Sequence, residues 1–235
     1  MDITYVTGCW EKSWQHILSD KRLDQIIETN QYPFKEKLVI INNVEKQTIK
    51  PMVKAIEHAI KRGAFTNYYF VEDYEKETLN ALNLRRDEIG IGYVYSITEW
   101  VGLHLCKTKY MLHYMGDCIS ATNHDWITPS LNLLENYPEV TSTTQVWDHK
   151  YHEPKLESQY EIGDFYISNG FSDQCFIVRR EEFYADIYRE RYPDDIRYPA
   201  YGGDLFERRV YAWMRNHNKL RGIYKHSSYI HRNWI

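Results

Sequence analysis

Short apolar runs alternate with stretches of helical spacing along the first half of the chain. Ile3 to Thr7 reads as a buried strand, followed by Gly8-Cys9-Trp10 as a turn. From Ser13 to Thr29, apolar residues return at Trp14, Ile17, Leu18, Leu23, Ile26 and Ile27, the spacing of one helix face. Lys37 to Ile41 is a second strand, closed by the polar turn formers Asn42 and Asn43. Ile49 to Arg62 predicts a helix with Pro51 in its first turn and Gly63 as its stop. Asn67 to Val71 is a third strand, ending at Glu72-Asp73. A polar connection from Tyr74 to Gly92 leads to a helix over about Tyr95 to Cys106, and then directly to an apolar run at Tyr110 to Tyr114. This β-α-β-α-β-α-β order predicts an α/β fold with a mostly parallel sheet, right-handed crossovers and ligands at the carboxyl ends of the strands. Thr7, Asn42, Asp73 and Asp117 should then converge on one edge.

The spacing is less regular beyond residue 120. A helix is expected over Thr128 to Asn136, strands at Thr141 to Trp147, Asp164 to Ile167 and Gln174 to Val178, and a helix from Arg180 onward. Tyr192 to Gly203 is a Pro/Gly/Tyr loop, and Asp204 should open a last helix through Leu205, Val210, Trp213 and Met214. No internal repeat or low-complexity linker divides the chain, so residues 1–235 read as one domain.

Composition narrows the setting. Cys9, Cys106, Cys118 and Cys175 lie far apart, which argues for reduced thiols in a cytosol rather than a disulfide framework or a zinc site. There is no 18-residue apolar run, and the amino terminus leads straight into a strand, so a soluble protein is expected. With 29 Lys and Arg against 33 Asp and Glu, and no long basic block, nucleic acid is not an expected partner. The 21 Tyr and 7 Trp suit stacking on sugar faces and bases, as well as ordinary core packing.

Two clusters carry candidate chemistry. Tyr110-Met111-Leu112-His113-Tyr114-Met115-Gly116-Asp117 is a buried strand stopping on a small residue and a carboxylate, the place where an α/β protein holds a metal ion and a phosphorylated ligand. Gly202-Gly203-Asp204 puts an acid behind two residues that let the backbone approach a ligand closely. At the strand ends, Thr7, Gly8, Asn42, Asp73 and Gly116 are candidate nucleotide contacts, and the Asn42 amide suits a pyrimidine edge.

Taken in order, these pieces resemble a GT-A-type glycosyltransferase. In the inverting members of that fold a helix ending in a small residue leads into a tyrosine-started strand and then Asp-x-Asp; Gly102, Cys106, Tyr110 and Met115-Gly116-Asp117 stand in those positions. Cys175 to Phe183 is similar to the acceptor-side strand and its paired-arginine helix start, and Gly202-Gly203-Asp204-Leu205-Phe206-Glu207 to the glycine-glycine-acid motif. Three positions depart from the pattern: Met115 replaces the first acid, Asn42 the aspartate closing the second strand, and Glu99-Trp100 an Arg-Asn pair. The resemblance implies a nucleotide-sugar-binding half (1–118) and an acceptor-binding half (119–235), with a nucleotide diphosphate sugar as donor and a glycan or other hydroxyl as acceptor. It implies a divalent cation, Mn2+ or Mg2+, on Asp117 and a C-terminal histidine, His231 before His226. Asp204 would be the catalytic base, Glu207 its fallback, and Gly202 and Gly203 acceptor contacts. A non-catalytic nucleotide-sugar or glycan-binding module on the same fold is the competing expectation. A nucleotidyltransferase is a third, opposed by the lack of a Gly-rich, basic loop after the first strand.

Overall fold

The computed structural model describes residues 2–197 and 205–232. Ten strands form one sheet: β1 (Ile3–Trp10), β2 (Glu36–Asn42), β3 (Asn67–Phe70), β4 (Tyr110–Tyr114), β5 (Cys118–Ser120), β6 (Val140–Trp147), β7 (Tyr160–Ile162), β8 (Phe165–Ser168), β9 (Cys175–Arg179) and β10 (Leu220–His231). Their order is β3-β2-β1-β4-β9-β6-β10-β8-β7, with β5 paired to β10 off this path. The helices are α1 (Trp14–Ile17), α2 (Asp20–Thr29), α3 (Lys46–Lys61), α4 (Val71–Ala81), α5 (Arg86–Ile89), α6 (Tyr93–Leu105), α7 (Ile127–Asn136), α8 (His152–Glu157), α9 (Arg180–Phe183) and α10 (Phe206–Asn216).

The period-two alternation along the strands sorts their side chains into two cores. Ile3, Tyr5, Val39, Ile41, Leu112 and Tyr114 face α2, α3 and α7. Val6, Leu38, Ile40, Met111 and Val178 face α6 and α10. Gly102 lets α6 lie close over β1, since a Cβ there would come within 2.8 Å of Val6 Cγ1.

β3-β2-β1-β4 is parallel throughout, as the β-α-β order predicts. In the second half β9 runs antiparallel to both β4 and β6, and β8 antiparallel to β10 and β7, so only β6 and β10 continue the parallel pattern. No long helical crossover precedes β8 or β9, and parallel neighbours require one.

Several boundaries move, each for a local reason. The helix expected over Ser13 to Thr29 breaks into α1 and α2 because Ser19 adopts an extended backbone and its Oγ accepts the Arg22 N–H (3.4 Å). α3 begins one turn before Ile49, placing Pro51 inside the helix. Glu11 makes the extra turn possible by accepting the Glu45 N–H (2.9 Å) and the Thr48 hydroxyl (2.5 Å). α9 stops after four residues instead of running on, and α10 starts at Phe206, whose N–H donates to Ser96 Oγ (2.8 Å).

The largest difference is the C-terminal segment. Residues 220–231 form a twelve-residue strand in the interior of the sheet, not a tail. Its polar stretch Lys225-His226-Ser227-Ser228 hides the strand pattern because it is a bulge: Tyr224 pairs with Gln145 and Ser228 with the next residue, Val146. Gln145 anchors the region from β6. Its Oε1 accepts the Tyr114 hydroxyl (2.6 Å), and its Nε2 lies 2.9 Å from both Ser120 Oγ and Ser227 Oγ.

Candidate functional site

Asp117 and His231 meet at the carboxyl edge of β4. The turn Met115-Gly116-Asp117-Cys118 is closed by the Cys118 N–H donating to the Met115 carbonyl (2.8 Å). Gly116 is required there, because a Cβ would lie 2.4 Å from the Gly8 carbonyl oxygen and 2.5 Å from Ile17 Cδ1. β5 then pairs antiparallel with the end of β10, setting His231 opposite Cys118, and the Arg232 N–H donates to the Asp117 carbonyl (3.1 Å). This ladder brings His231 Nε2 within 3.1 Å of Asp117 Oδ2.

The surrounding groups set the imidazole's state. Gln174 Nε2 lies 3.0 Å from His231 Nδ1, Gln174 Oε1 accepts the Tyr229 hydroxyl (2.9 Å), and the His231 N–H donates to Asp148 Oδ1 (3.0 Å). The hydrogen bond to Asp117 raises the His231 pKa against the opposing effect of burial. Burial pushes the Asp173 carboxyl up to about 6, where His231 draws it down and Asp117 raises it. Cys118 Sγ, with Asp117 and His231, completes a group of ligand atoms within 4.8 Å of one another. Its thiol is raised by burial, which keeps it protonated and a poor ligand.

One carboxylate and one imidazole fit a hard or borderline divalent cation whose remaining positions are filled by phosphate oxygens and water. Ligation through His231 Nε2 needs the proton on Nδ1. Turning the Gln174 amide over favours that tautomer, with Oε1 then accepting the Nδ1–H and the amide N–H donating to the Tyr229 hydroxyl.

The other expected residues fall in different places. Gly8 is half-buried beside the Asp117 turn, but it belongs to β1, which continues through Trp10 where a turn was expected. Thr7 therefore lies inside the sheet, 3% exposed and paired with Tyr114 and Val39, three residues before the end of β1. Trp10, opposite Asn42, marks the true end of β1. Asn42 is buried and its Nδ2 donates to the Val94 carbonyl (2.6 Å), tying the end of β2 to the first turn of α6. Asp73 is exposed in the first turn of α4, beyond the end of β3 and three strands from β4, a lateral distance of about 14 Å. His226 does not join the metal group: it lies 2.9 Å from Asp164 at an exposed position. Arg179 and Arg180 sit at the opposite edge, where Arg179 pairs with Tyr110, and their guanidinium groups donate to carbonyls of Val140 and Leu103. Glu207 is half-buried in the first turn of α10. Gly202, Gly203 and Asp204 lie outside the described residues.

Trp10, Asp173, Gln174 and Arg22 were not anticipated. Only Trp10 carried a signal, as the large aromatic closing an apolar run; the others reach the site through contacts distant in sequence. Arg22 Nη2 donates to the Gly116 carbonyl (3.3 Å) and closely to that of Cys118, gripping the turn on both sides of Asp117.

No protein-family model and no curated protein matches the sequence. Solved structures similar to this chain include GalNAc-T7 with UDP, GalNAc and Mn2+ (12% identity, TM-score 0.61), matching 98% of this chain and 44% of that one. The chain thus spans less than half the length of that enzyme. Glucosyl-3-phosphoglycerate synthase from Mycobacterium tuberculosis with Mg2+ and UDP matches 100% of this chain and 72% of its own (12% identity, TM-score 0.51). UDP-glucose pyrophosphorylase with UDP-glucose matches 96% and 91% (9% identity, TM-score 0.53). A pyrophosphorylase on the same scaffold means that architecture alone does not select the reaction. The sheet order, the two helical layers and these likenesses establish that the chain has the GT-A, Rossmann-like α/β fold.

Proposed function

We propose that the chain is a glycosyltransferase that moves a sugar from a nucleotide diphosphate sugar to an acceptor hydroxyl, with inversion, using a divalent cation held by Asp117 and His231. The observation that carries this reading is the 3.1 Å contact between those two side chains, 114 residues apart, at the ligand-binding edge of the sheet. The cation, Mn2+ or Mg2+, supplies charge neutralisation for the departing diphosphate. His231 delivers its Nε2 lone pair once deprotonated, and Gln174 holds the ring. Gly8 and Gly116, packed against each other at the turn, are donor contacts through their backbone. Asn42 has one amide hydrogen committed to Val94, which orients the group so that Oδ1 can accept an N–H from the base, while Trp10 offers a stacking face. Thr7 supports this wall from within the sheet, and Asp73 is the outermost donor contact. Asp204 is the base that takes the acceptor proton, with Gly202 and Gly203 on the acceptor side.

Calorimetry with UDP and GDP, with and without Mn2+, combined with a donor-hydrolysis and transfer assay, tests this assignment. Asp117→Ala and His231→Ala should abolish the metal-dependent part of nucleotide binding, whereas Asp204→Asn should bind normally and not turn over. Nucleotide binding indifferent to Mn2+ in the unsubstituted protein, or full turnover by Asp204→Asn, overturns the corresponding role. Met115, packed against the apolar core in place of an acid, favours a second reading as a non-catalytic binding module. Metal-dependent binding without transfer to any acceptor would select it.

A further inference from the structure

Behind the metal turn, on the face of the β5–β10 ladder away from His231, lies a cleft of about 520 Å³ between α2 and the strands. Ile119, Ile230 and Arg232 line it from the ladder, and Lys21, Arg22 and Gln25 from the helix. Three lining residues are cationic (Lys21, Arg22, Arg232) and one is acidic (Glu28).

Arg22 is only 7% exposed, yet its hydrogen-bond partners are carbonyl oxygens of Gly116 and Cys118, both reached through Nη2. Among the described residues its Nε and Nη1 have no acceptor and no carboxylate lies within ion-pair distance, the nearest charge support coming from Asp117 across the turn. Buried guanidinium groups are normally matched by an anion, because carbonyl dipoles offset only part of the cost of removing the charge from water. Lys21, one residue earlier and exposed, likewise has no carboxylate partner among the described residues. Guanidinium N–H groups, an ammonium and the amide of Gln25 around a concave space match the several acceptor oxygens of a tetrahedral oxyanion.

We propose that this cleft is a binding site for a phosphate group, seated on Arg22 and Lys21. The site is separate from the donor edge and does not depend on the transferase reading. Because Arg22 also holds the carbonyls on both sides of Asp117, an occupant that reorients the guanidinium moves the metal turn with it.

The test is an amide NMR titration of the full chain at constant ionic strength, with a chelator present and no nucleotide. One arm uses inorganic phosphate and the other glucose 6-phosphate as a phosphomonoester probe. Saturable shifts are expected at Lys21, Gln25, Ile119 and Ser120. Lys21→Glu and Gln25→Glu, both at exposed positions, should weaken binding by about tenfold or more, with nucleotide and Mn2+ binding unchanged. Tighter binding of the sugar phosphate identifies an organic phosphate as the ligand, and equal affinity identifies the free ion. The proposal is overturned if neither probe saturates below about 10 mM, if shifts are confined to Met115–Asp117, or if both variants bind like the parent.

Discussion

Replacing Glu99 with Gln should change how stability depends on pH, in a direction set by a buried neutral pair. Glu99, on α6, is fully buried, with its Oε1 3.5 Å from Nε2 of His113, which is 1% exposed on β4 and stacked on Phe176. Among the described residues, neither His113 nitrogen nor Glu99 Oε1 has a hydrogen-bond partner. Burial pushes Glu99 up to about 8 and His113 down to about 3, so both are neutral at pH 7. For Glu99 the folded state keeps a proton that the unfolded chain loses above about 4.5, so stability falls as pH rises from there to about 8. For His113 the unfolded chain takes up a proton below about 6.5, so stability falls as pH drops from there to about 3. The slopes cancel between about 4.5 and 6.5, leaving a plateau flanked by two declines. From pH 6.5 to 8 the Glu99 decline alone, at about 1.4 kcal/mol per unit, amounts to about 2 kcal/mol. The amide of Glu99→Gln keeps the shape and an acceptor for the Thr98 hydroxyl (2.9 Å) but cannot ionise. Urea unfolding at several pH values should show the variant losing about 2 kcal/mol less than the parent across that window. His231, raised above 6.5, titrates there in both proteins and drops out of the difference. Parallel profiles for the two proteins above pH 6.5 would refute the neutral-pair reading.

Gly116→Ala should destabilise the fold by about 2 kcal/mol or more and weaken Mn2+ binding, because its Cβ meets backbone at Gly8; thermal unfolding and a metal titration check both. Gln145→Leu orphans the buried Tyr114 and Ser227 hydroxyls, at a cost of about 2–4 kcal/mol, read as a Tm lowered by about 5–15 °C. Mn2+ affinity should rise with pH through the elevated His231 pKa and then level off, with about one proton released per ion; calorimetry in two buffers of different ionisation enthalpy measures this, and His231→Ala should abolish the slope.

Local patterns revealed the half of the molecule built from local units. The Leu38 to Ile41 run and the spacing of Trp14 through Ile27 are strand and helix signals readable within a few residues, and strand-helix alternation then dictates a parallel sheet. Asp117 was legible for the same reason, as an acid ending an apolar run. β10 was not legible as a strand. Arg221, Ser227 and Ser228 look like surface residues, but each is buried on a partner supplied from far away: Ser168 for Arg221 (3.1 Å), Gln145 for Ser227, and the His149 N–H for Ser228 (2.9 Å). His231 was found through a family resemblance, and its placement depends on the ladder with β5, which no local pattern encodes. The strand end was placed at Thr7 because Gly8 reads as a turn former, whereas here Gly8 continues β1 opposite Ile40 and faces Thr98.

The position of β10 also orders events during folding. Among the described residues β5 pairs with no other strand, and the β7-β8 hairpin reaches the sheet only through β10. Until residues 220–231 have been synthesised, β6 presents an open edge and three strands have nowhere to dock, which exposes the chain to wrong pairing while residues 148–219 emerge from the ribosome. Closing the sheet is then a non-local, slow step. Because His231 lies at the far end of that strand, the Asp117–His231 pair forms only once it is complete, so the metal capture proposed for these two residues would report that the sheet has closed.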